Sequence, residues 1–439
     1  MNLGVYIQVP FCQTKCTYCN FHTGVVSRDR YQPYASAICR EIEQEARNSE
    51  VWEGGVLTPP LATNDPGALA PEVNTSVDTV YFGGGTPSLL APDSLAQTLH
   101  ALRSRYEFVA PEIILEADDP SRIVIFSEQR ERRTSLSRPE ITLEADPETI
   151  TPEKAASWLA AGFNRISLGV QSFDDRELQA TGRMHRRAGI APAIEILRAA
   201  GIDNIGMDLI IGLPYQSSES WEQSVSELLA LRSEHISIYM MEIDEGSHLG
   251  KESLAGGTRY SAAAIPRDDT QAEFYESACA RLAAAGYDHY EISNWALPGR
   301  RSRHNLKYWQ REPYLGFGAG AHSFDGRTRW ANVHDSARYV AMIEQRISPR
   351  EQVEPITPEQ SLEEEFFLGL RQLDGIDLAR IERDYASPST NGARARFAAI
   401  RRQVESLRAQ GLLELQDSHL RLAPNRLTVS SSILAELLT

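Results

Sequence analysis

The chain has 439 residues, 42% of them hydrophobic and 24% charged, enough for two or three domains and a core that needs no covalent staples. With 44 Lys and Arg against 60 Asp and Glu, the formal charge is −16. That balance argues against a nucleic-acid binder, whose phosphate contacts need a basic face, though it leaves room for a local basic pocket. No apolar run approaches the roughly 18 residues that span a bilayer. The start, Met1-Asn2-Leu3-Gly4, has neither the basic nor the apolar region of a leader. A cytoplasmic protein without an integral membrane segment is expected. Five cysteines in a reducing compartment are not a disulfide framework.

Along the chain, strands are expected at 4–9, 77–82, 140–145, 165–170, 205–210 and 235–241, rich in Val, Ile, Leu and Tyr. Helical patterns fill the intervals at 31–47, 92–105, 151–161, 188–200 and 218–231, with another at 270–285. Pro92 and Pro152 stand where a helix start tolerates them, and Gly162, Gly201 and Gly286 where helices stop. Six βα units in a row imply an α/β fold with a parallel sheet, open or closed into a partial barrel. Right-handed crossovers then place every strand C-terminus on one face. Two stretches break the rhythm, at 49–76 and 119–138. The second lies between near copies of one segment, Pro111-Glu-Ile-Ile-Leu-Glu-Ala-Asp118 and Pro139-Glu-Ile-Thr-Leu-Glu-Ala-Asp146. A local duplication explains them, and the second copy, which runs directly into a helix, is placed in the sheet. After about 355, helices at 361–371, 376–385 and 393–410 and two short strands within 412–422 read as a helical, winged-helix-like module. Cys39 and Cys279 lie in helical patterns and are expected to be inert core thiols.

Cys12-x3-Cys16-x2-Cys19 follows the first strand directly. Soft thiolates at loop spacing bind zinc or an iron–sulfur cluster. Structural zinc usually takes four ligands in paired motifs. Here there are three cysteines and no second pair, with His22 the candidate for a fourth ligand. A cubane on three cysteines leaves one iron open to chelate a small molecule. This motif, with Tyr81-Phe-Gly-Gly-Gly-Thr-Pro-Ser88 after the second strand, resembles the radical S-adenosylmethionine superfamily. The resemblance implies a partial (β/α)6, TIM-like barrel over 1–240, an extension over 241–354 and a C-terminal domain over 355–439. It also implies a 4Fe-4S cluster on Cys12, Cys16 and Cys19. S-adenosylmethionine is expected against Tyr6, Tyr18, Gly84, Gly85, Thr86, Glu144, Gln171, Arg183 and Asp208. Glu116, in the other copy of the duplicated segment, is the rival for Glu144.

Nearly the whole chain resembles the branch that holds the oxygen-independent coproporphyrinogen III dehydrogenases and their heme-chaperone relatives. The dehydrogenases carry a fourth cysteine where this chain has Phe21, and a long extension before the cluster motif where it has eleven residues. His304-Asn305-Leu306-Lys307-Tyr308-Trp309 matches the H-N-x-x-Y-W motif of the chaperones. By resemblance His304, Asn305, Tyr308 and Trp309 bind heme, for which neutral imidazole is a good axial ligand. Arg300, Arg301, Arg303 and Lys307 flank the motif as candidate partners for propionates, and His322 is a further polar candidate. The expected function is a heme chaperone that transfers heme to apo-proteins such as respiratory enzymes, with a homodimer left open. The alternative is radical oxidative decarboxylation of coproporphyrinogen III; another radical reaction, such as methylation, is a third.

Overall fold

The computed structural model describes residues 2–52, 76–109, 138–242, 244–385 and 391–439. Most of both expected insertions, and the first copy of the duplicated segment with Glu116, lie outside the described residues.

Six parallel strands form the centre of the sheet: β1 (Leu3–Val9), β2 (Ser76–Gly84), β4 (Glu140–Ala145), β5 (Arg165–Gln171), β6 (Ile205–Ile211) and β7 (His235–Met240). A two-residue strand, β3 (Glu107–Phe108), pairs with β2. The order is β1-β2-β4-β5-β6-β7, each parallel to the next, as right-handed βα crossovers require. Strand periodicity sorts side chains to two faces. One face is apolar and fully buried, for example Val5, Ile7 and Val9 on β1, Ile166, Leu168 and Val170 on β5, and Met207, Leu209 and Ile211 on β6. It packs under the helices Tyr31–Trp52, Pro92–Arg103, Pro152–Ala161, Arg187–Ala199 and Ser218–Ala230. The other face carries Tyr6, Thr79, Tyr81, Thr142, Glu144, Ser167, Asp208 and Ser237. It forms the polar interior of a curved, open sheet.

The sheet continues beyond the six expected strands. β8 (Asp288–Glu291) and β9 (Asn294–Ala296) form a hairpin that adds antiparallel to β7. At the other margin β10 (Tyr314–Phe317) lies parallel to β1, followed by antiparallel β11 (His322–Phe324), β12 (Thr328–Asn332) and β13 (Arg350–Pro355). The strand order leaves β8 and β13 as unpaired margins among the described residues. The C-terminal region packs the helices Pro358–Gly369, Leu378–Tyr385, Asn391–Ala409 and Ser430–Leu437 around a small antiparallel sheet. That sheet joins β14 (Ile376–Asp377), β15 (Leu413–Gln416) and β16 (His419–Leu422). Residues 376 and 377, expected to be helical, are strand; the helix starts at Leu378, where the Asp377 carboxylate accepts the N–H groups of Ala379 and Arg380. Among the described residues no helix is long and apolar enough to cross a membrane.

Candidate functional site

The loop after β1 turns back on itself. Cys12 N–H donates to Gly24 C=O and Gly24 N–H to Pro10 C=O, so residues 11–24 form a closed lobe. The lobe is anchored across the sheet: Thr17 N–H donates to Thr181 C=O, Leu249 N–H to Thr17 C=O, and Thr14 Oγ1 to Gly182 C=O. Cys12, Cys16 and Cys19 line one side of a cavity of about 750 Å³, within the usual size range of small-molecule sites. Burial pushes the Cys12 thiol up to about 11. It raises Cys16 as well, opposed by the Arg183 guanidinium, whose Nη1 is 3.9 Å from Cys16 Sγ.

The glycine segment after β2 fits under this lobe. Gly85 N–H donates to Val9 C=O and Thr86 N–H to Phe11 C=O, at 2.8 and 2.7 Å. A Cβ on Gly85 would lie 2.5 Å from Phe11 O, and Gly84 has φ of +109°. Gly84 takes a backbone that side chains rarely adopt, and Gly85 has no room for a Cβ. Gly84 N–H and Tyr81 Oη both donate to the Glu144 carboxyl, at 3.1 and 2.9 Å. Burial, helped by Asp208, pushes Glu144 up to about 7 against those two hydrogen bonds. Asp208 is raised too, by burial; Ser167 Oγ donates to it at 3.2 Å. Gln171 ends β5 with φ of +65°, and the register slips between Gly169 and Gln171. This β-bulge turns the side chain into the cavity. Arg183 is fixed by Asp146 and by Gly169 C=O.

Tyr18, Gly84, Gly85, Thr86, Glu144, Gln171, Arg183 and Asp208 therefore border the same cavity as the cysteines. Tyr6 lies beneath, its ring stacked on Tyr81 and His304. Asp146, which also accepts from Thr86 Oγ1 at 3.1 Å, was not singled out in the sequence. It stands just past the end of β4, where a strand C-terminus meets the cavity, and that position is the signal that could have found it.

Ser302 caps the helix Arg303–Trp309, which carries the H-N-x-x-Y-W motif. Asn305 and Trp309 border the cavity. His304 is 1% exposed, with Nδ1 2.9 Å from Thr79 Oγ1 and Nε2 2.9 Å from Tyr308 Oη. Burial lowers it to about 3, so the ring is neutral. Both nitrogens have partners, and neither is free to ligate iron in this conformation. The flanking cations are also engaged. Arg300 pairs with Asp203, Arg301 with Asp288 and Asp374, Arg303 with Glu140, and buried Lys307 with Asp78 and Glu312. None of the four borders the cavity, which corrects the expectation that they receive a ligand's carboxylates. His22 stacks on His334 at 4.0 Å between centroids, and His322 lies near both. Phe21 is 67% exposed at the cavity rim.

Among the described residues no three His, Cys, Asp or Glu side chains are arranged to hold a single metal ion. Three thiols on one lobe, facing a cavity with the space of a ligand, fit a polynuclear cluster better than a lone zinc.

The radical SAM superfamily model matches residues 6–228, and the HemN C-terminal domain model matches 356–425. The heme chaperone HemW of Mycobacterium tuberculosis is 32% identical over 441 residues, covering 99% of this chain and 94% of the relative. The chain belongs to the radical S-adenosylmethionine superfamily, in its HemW family. HemW of Bacillus subtilis is 30% identical over 382 residues, covering 87% of this chain and 86% of its own. The fold is shared with the coproporphyrinogen III oxidase HemN of Escherichia coli, with a TM-score of 0.75, 19% identity, and coverage of 100% of this chain and 90% of that one. In a HemW-family chain, the cysteine lobe and the H-N-x-x-Y-W helix thus meet at one cavity.

Proposed function

We propose that the protein is a cytoplasmic heme chaperone, which binds heme and passes it to acceptor apo-proteins such as respiratory enzymes. The observation that carries this reading is the similarity to a heme chaperone HemW over 99% of the chain. Phe21 at the position of the dehydrogenases' fourth cysteine supports it against the alternative, coproporphyrinogen III oxidation. In this reading residues 1–240 hold the cluster and S-adenosylmethionine, 241–354 contribute the heme motif, and 355–439 cover the cavity.

Cys12, Cys16 and Cys19 would hold a 4Fe-4S cluster, which when bound supplies an open iron for chelation and an electron for cleavage of S-adenosylmethionine. The chain's own groups do the positioning. Arg183, pinned by Asp146, sets positive charge beside Cys16 and favours its thiolate. Glu144 and Asp208 offer carboxyls, and Gln171 an amide, to the polar groups of the cofactor, while Gly84, Gly85 and Thr86 give it room at the lobe. Tyr6 and Tyr18 pack around that site. For heme, Asn305 and Trp309 form the wall. His304 would be the candidate ligand for heme iron only if its hydrogen bond to Tyr308 were given up; in this conformation it fixes Tyr308. A homodimer through the cysteine lobe, where Phe21 and Val25 stand exposed, belongs to the same reading, and the mass in solution with and without iron tests it.

The deciding experiment is an anaerobic heme titration of the reconstituted protein, followed at the Soret band, for the native chain and His304→Ala. Coproporphyrinogen III turnover is assayed on the same preparation with reductant and S-adenosylmethionine. Saturable heme binding that weakens in the variant, without turnover, is expected. Turnover without saturable heme binding overturns the chaperone in favour of the dehydrogenase.

A further inference from the structure

Three cations border the cavity among the described residues: Lys15, Arg183 and Arg371. Arg183 is paired with Asp146, and Lys15 donates to Thr23 C=O. Arg371 differs. Among the described residues it makes no side-chain hydrogen bond or ion pair, and its Nε is buried without a partner. The guanidinium lies over two aromatic rings, 5.4 Å from the centroid of Trp309 and 5.3 Å from that of Phe367. Such stacking holds a weakly hydrated, always charged fork in one place. Trp309, on the same wall, has an indole Nε1 that is also buried without a partner.

The backbone around Arg371 is as fixed as its ring contacts. Its C=O accepts from Ile292 N–H at 3.1 Å, Leu373 N–H donates to Tyr290 C=O, and Glu291 bridges Gln372. The C-terminal region is thereby joined to the β8–β9 hairpin just where Arg371 enters the cavity. Glu291, an acid that feels the Arg371 charge, has its carboxyl held by the Asn294 amide and pushed up to about 7 by burial. No nitrogen of Arg371 reaches it at ion-pair distance among the described residues.

Two buried N–H donors without acceptors are costly in a folded protein. A cation and an indole N–H on one cavity wall are matched by an acceptor that carries negative charge and two oxygens. We propose that Arg371 and the indole N–H of Trp309 form a carboxylate-binding subsite that takes a propionate of heme. This rests on the heme reading above. It replaces Arg300, Arg301, Arg303 and Lys307, all engaged elsewhere, with a cation supplied by the C-terminal region. S-adenosylmethionine also carries a carboxylate, but its cysteine-side neighbour is Arg183, beside Cys16, whereas Arg371 packs on the motif helix.

The test uses the full reconstituted chain and two probes, hemin and hemin dimethyl ester, whose propionates are esterified. The native chain is expected to bind hemin more tightly than the ester by about 10- to 100-fold, the range of a charged hydrogen-bonded contact. Arg371→Gln loses that preference, binding both probes about as weakly as the native chain binds the ester. Arg371→Lys keeps part of it. Trp309→Phe, which retains a ring and removes the N–H, reduces it by several-fold. Equal affinity of the native chain for acid and ester overturns the proposal without need of any variant. So does an Arg371→Gln loss that is the same for both probes, which marks lost packing, or a loss confined to S-adenosylmethionine binding. A native chain that binds neither probe overturns the heme reading itself, and the subsite with it; in that case the failure already shows before any substitution.

Discussion

Three buried carboxyls, Glu41, Glu144 and Glu291, are each pushed up to about 7 by burial. Each binds a proton in the folded chain that it releases in the unfolded chain once the pH passes its ordinary value of 4.5. Their stabilising contribution is therefore complete below that value and lost as the pH rises through about 7. The buried imidazoles of His289 and His304, lowered to about 4 and about 3, act the other way and add stability as pH rises toward 6.5, so the melting temperature of the cofactor-free protein is expected to fall only above roughly pH 6.5, as calorimetry would read. Glu41 lies away from the cavity, accepting from Gly318 N–H, Tyr339 Oη and the Asn332 amide. Glu41→Gln should flatten that fall and cost about 1–3 kcal/mol, because the new amide faces a donor where an acceptor stood. At the site, Gly85→Ala would drive a methyl into Phe11 C=O and displace the cysteine lobe. Iron and sulfide analysis after reconstitution should show much lower cluster content. The chemistry of these positions was largely legible. Cysteine spacing and the glycine run mark the lobe and its support, whereas Glu144 is singled out by the family resemblance, with Glu116 of the other copy as its rival. What stayed hidden is partnership. Nothing in the local sequence says that His304 has both nitrogens engaged by Thr79 and Tyr308, or that four cations around it are paired with acids from distant elements.

The six parallel strands could be read because each is a short run rich in Val, Ile, Leu or Tyr between helices with clear starts and stops. β8 to β13 could not. They are three to six residues long, several are polar, and β13 (Arg-Glu-Gln-Val-Glu-Pro) is largely exposed. Such segments become strands through pairing with a formed neighbour rather than through their own pattern. The same holds for Arg371, which follows the helix Pro358–Gly369 in sequence but gains its meaning from the β8–β9 hairpin. That helix starts with a capping box, Thr357 with Gln360. Thr357→Ala should cost about 1 kcal/mol in urea unfolding while leaving heme affinity unchanged, since the cap lies at the end of the helix remote from Arg371.

At the scale of the molecule, the sheet path is the governing feature. β1 lies between β2 and β10, with Gly4 beside both Thr79 and Tyr314. A chain ended at residue 309 lacks β10 and leaves that side of β1 unpaired. It is expected to retain little iron after reconstitution, although every cysteine and every residue placed around S-adenosylmethionine is present. The path also bears on events during synthesis. β1, made before the other described strands of its sheet, is among the last of them to be completed. The cysteine lobe waits for Thr181 and Leu249 to anchor it, and β1 for Tyr314 to flank it. Domains that pair their ends in this way close late and pass through open intermediates. Assembly of a cluster on Cys12, Cys16 and Cys19 would therefore follow translation of the sheet, and the nascent thiols would need protection from oxidation for most of the time the chain is being made.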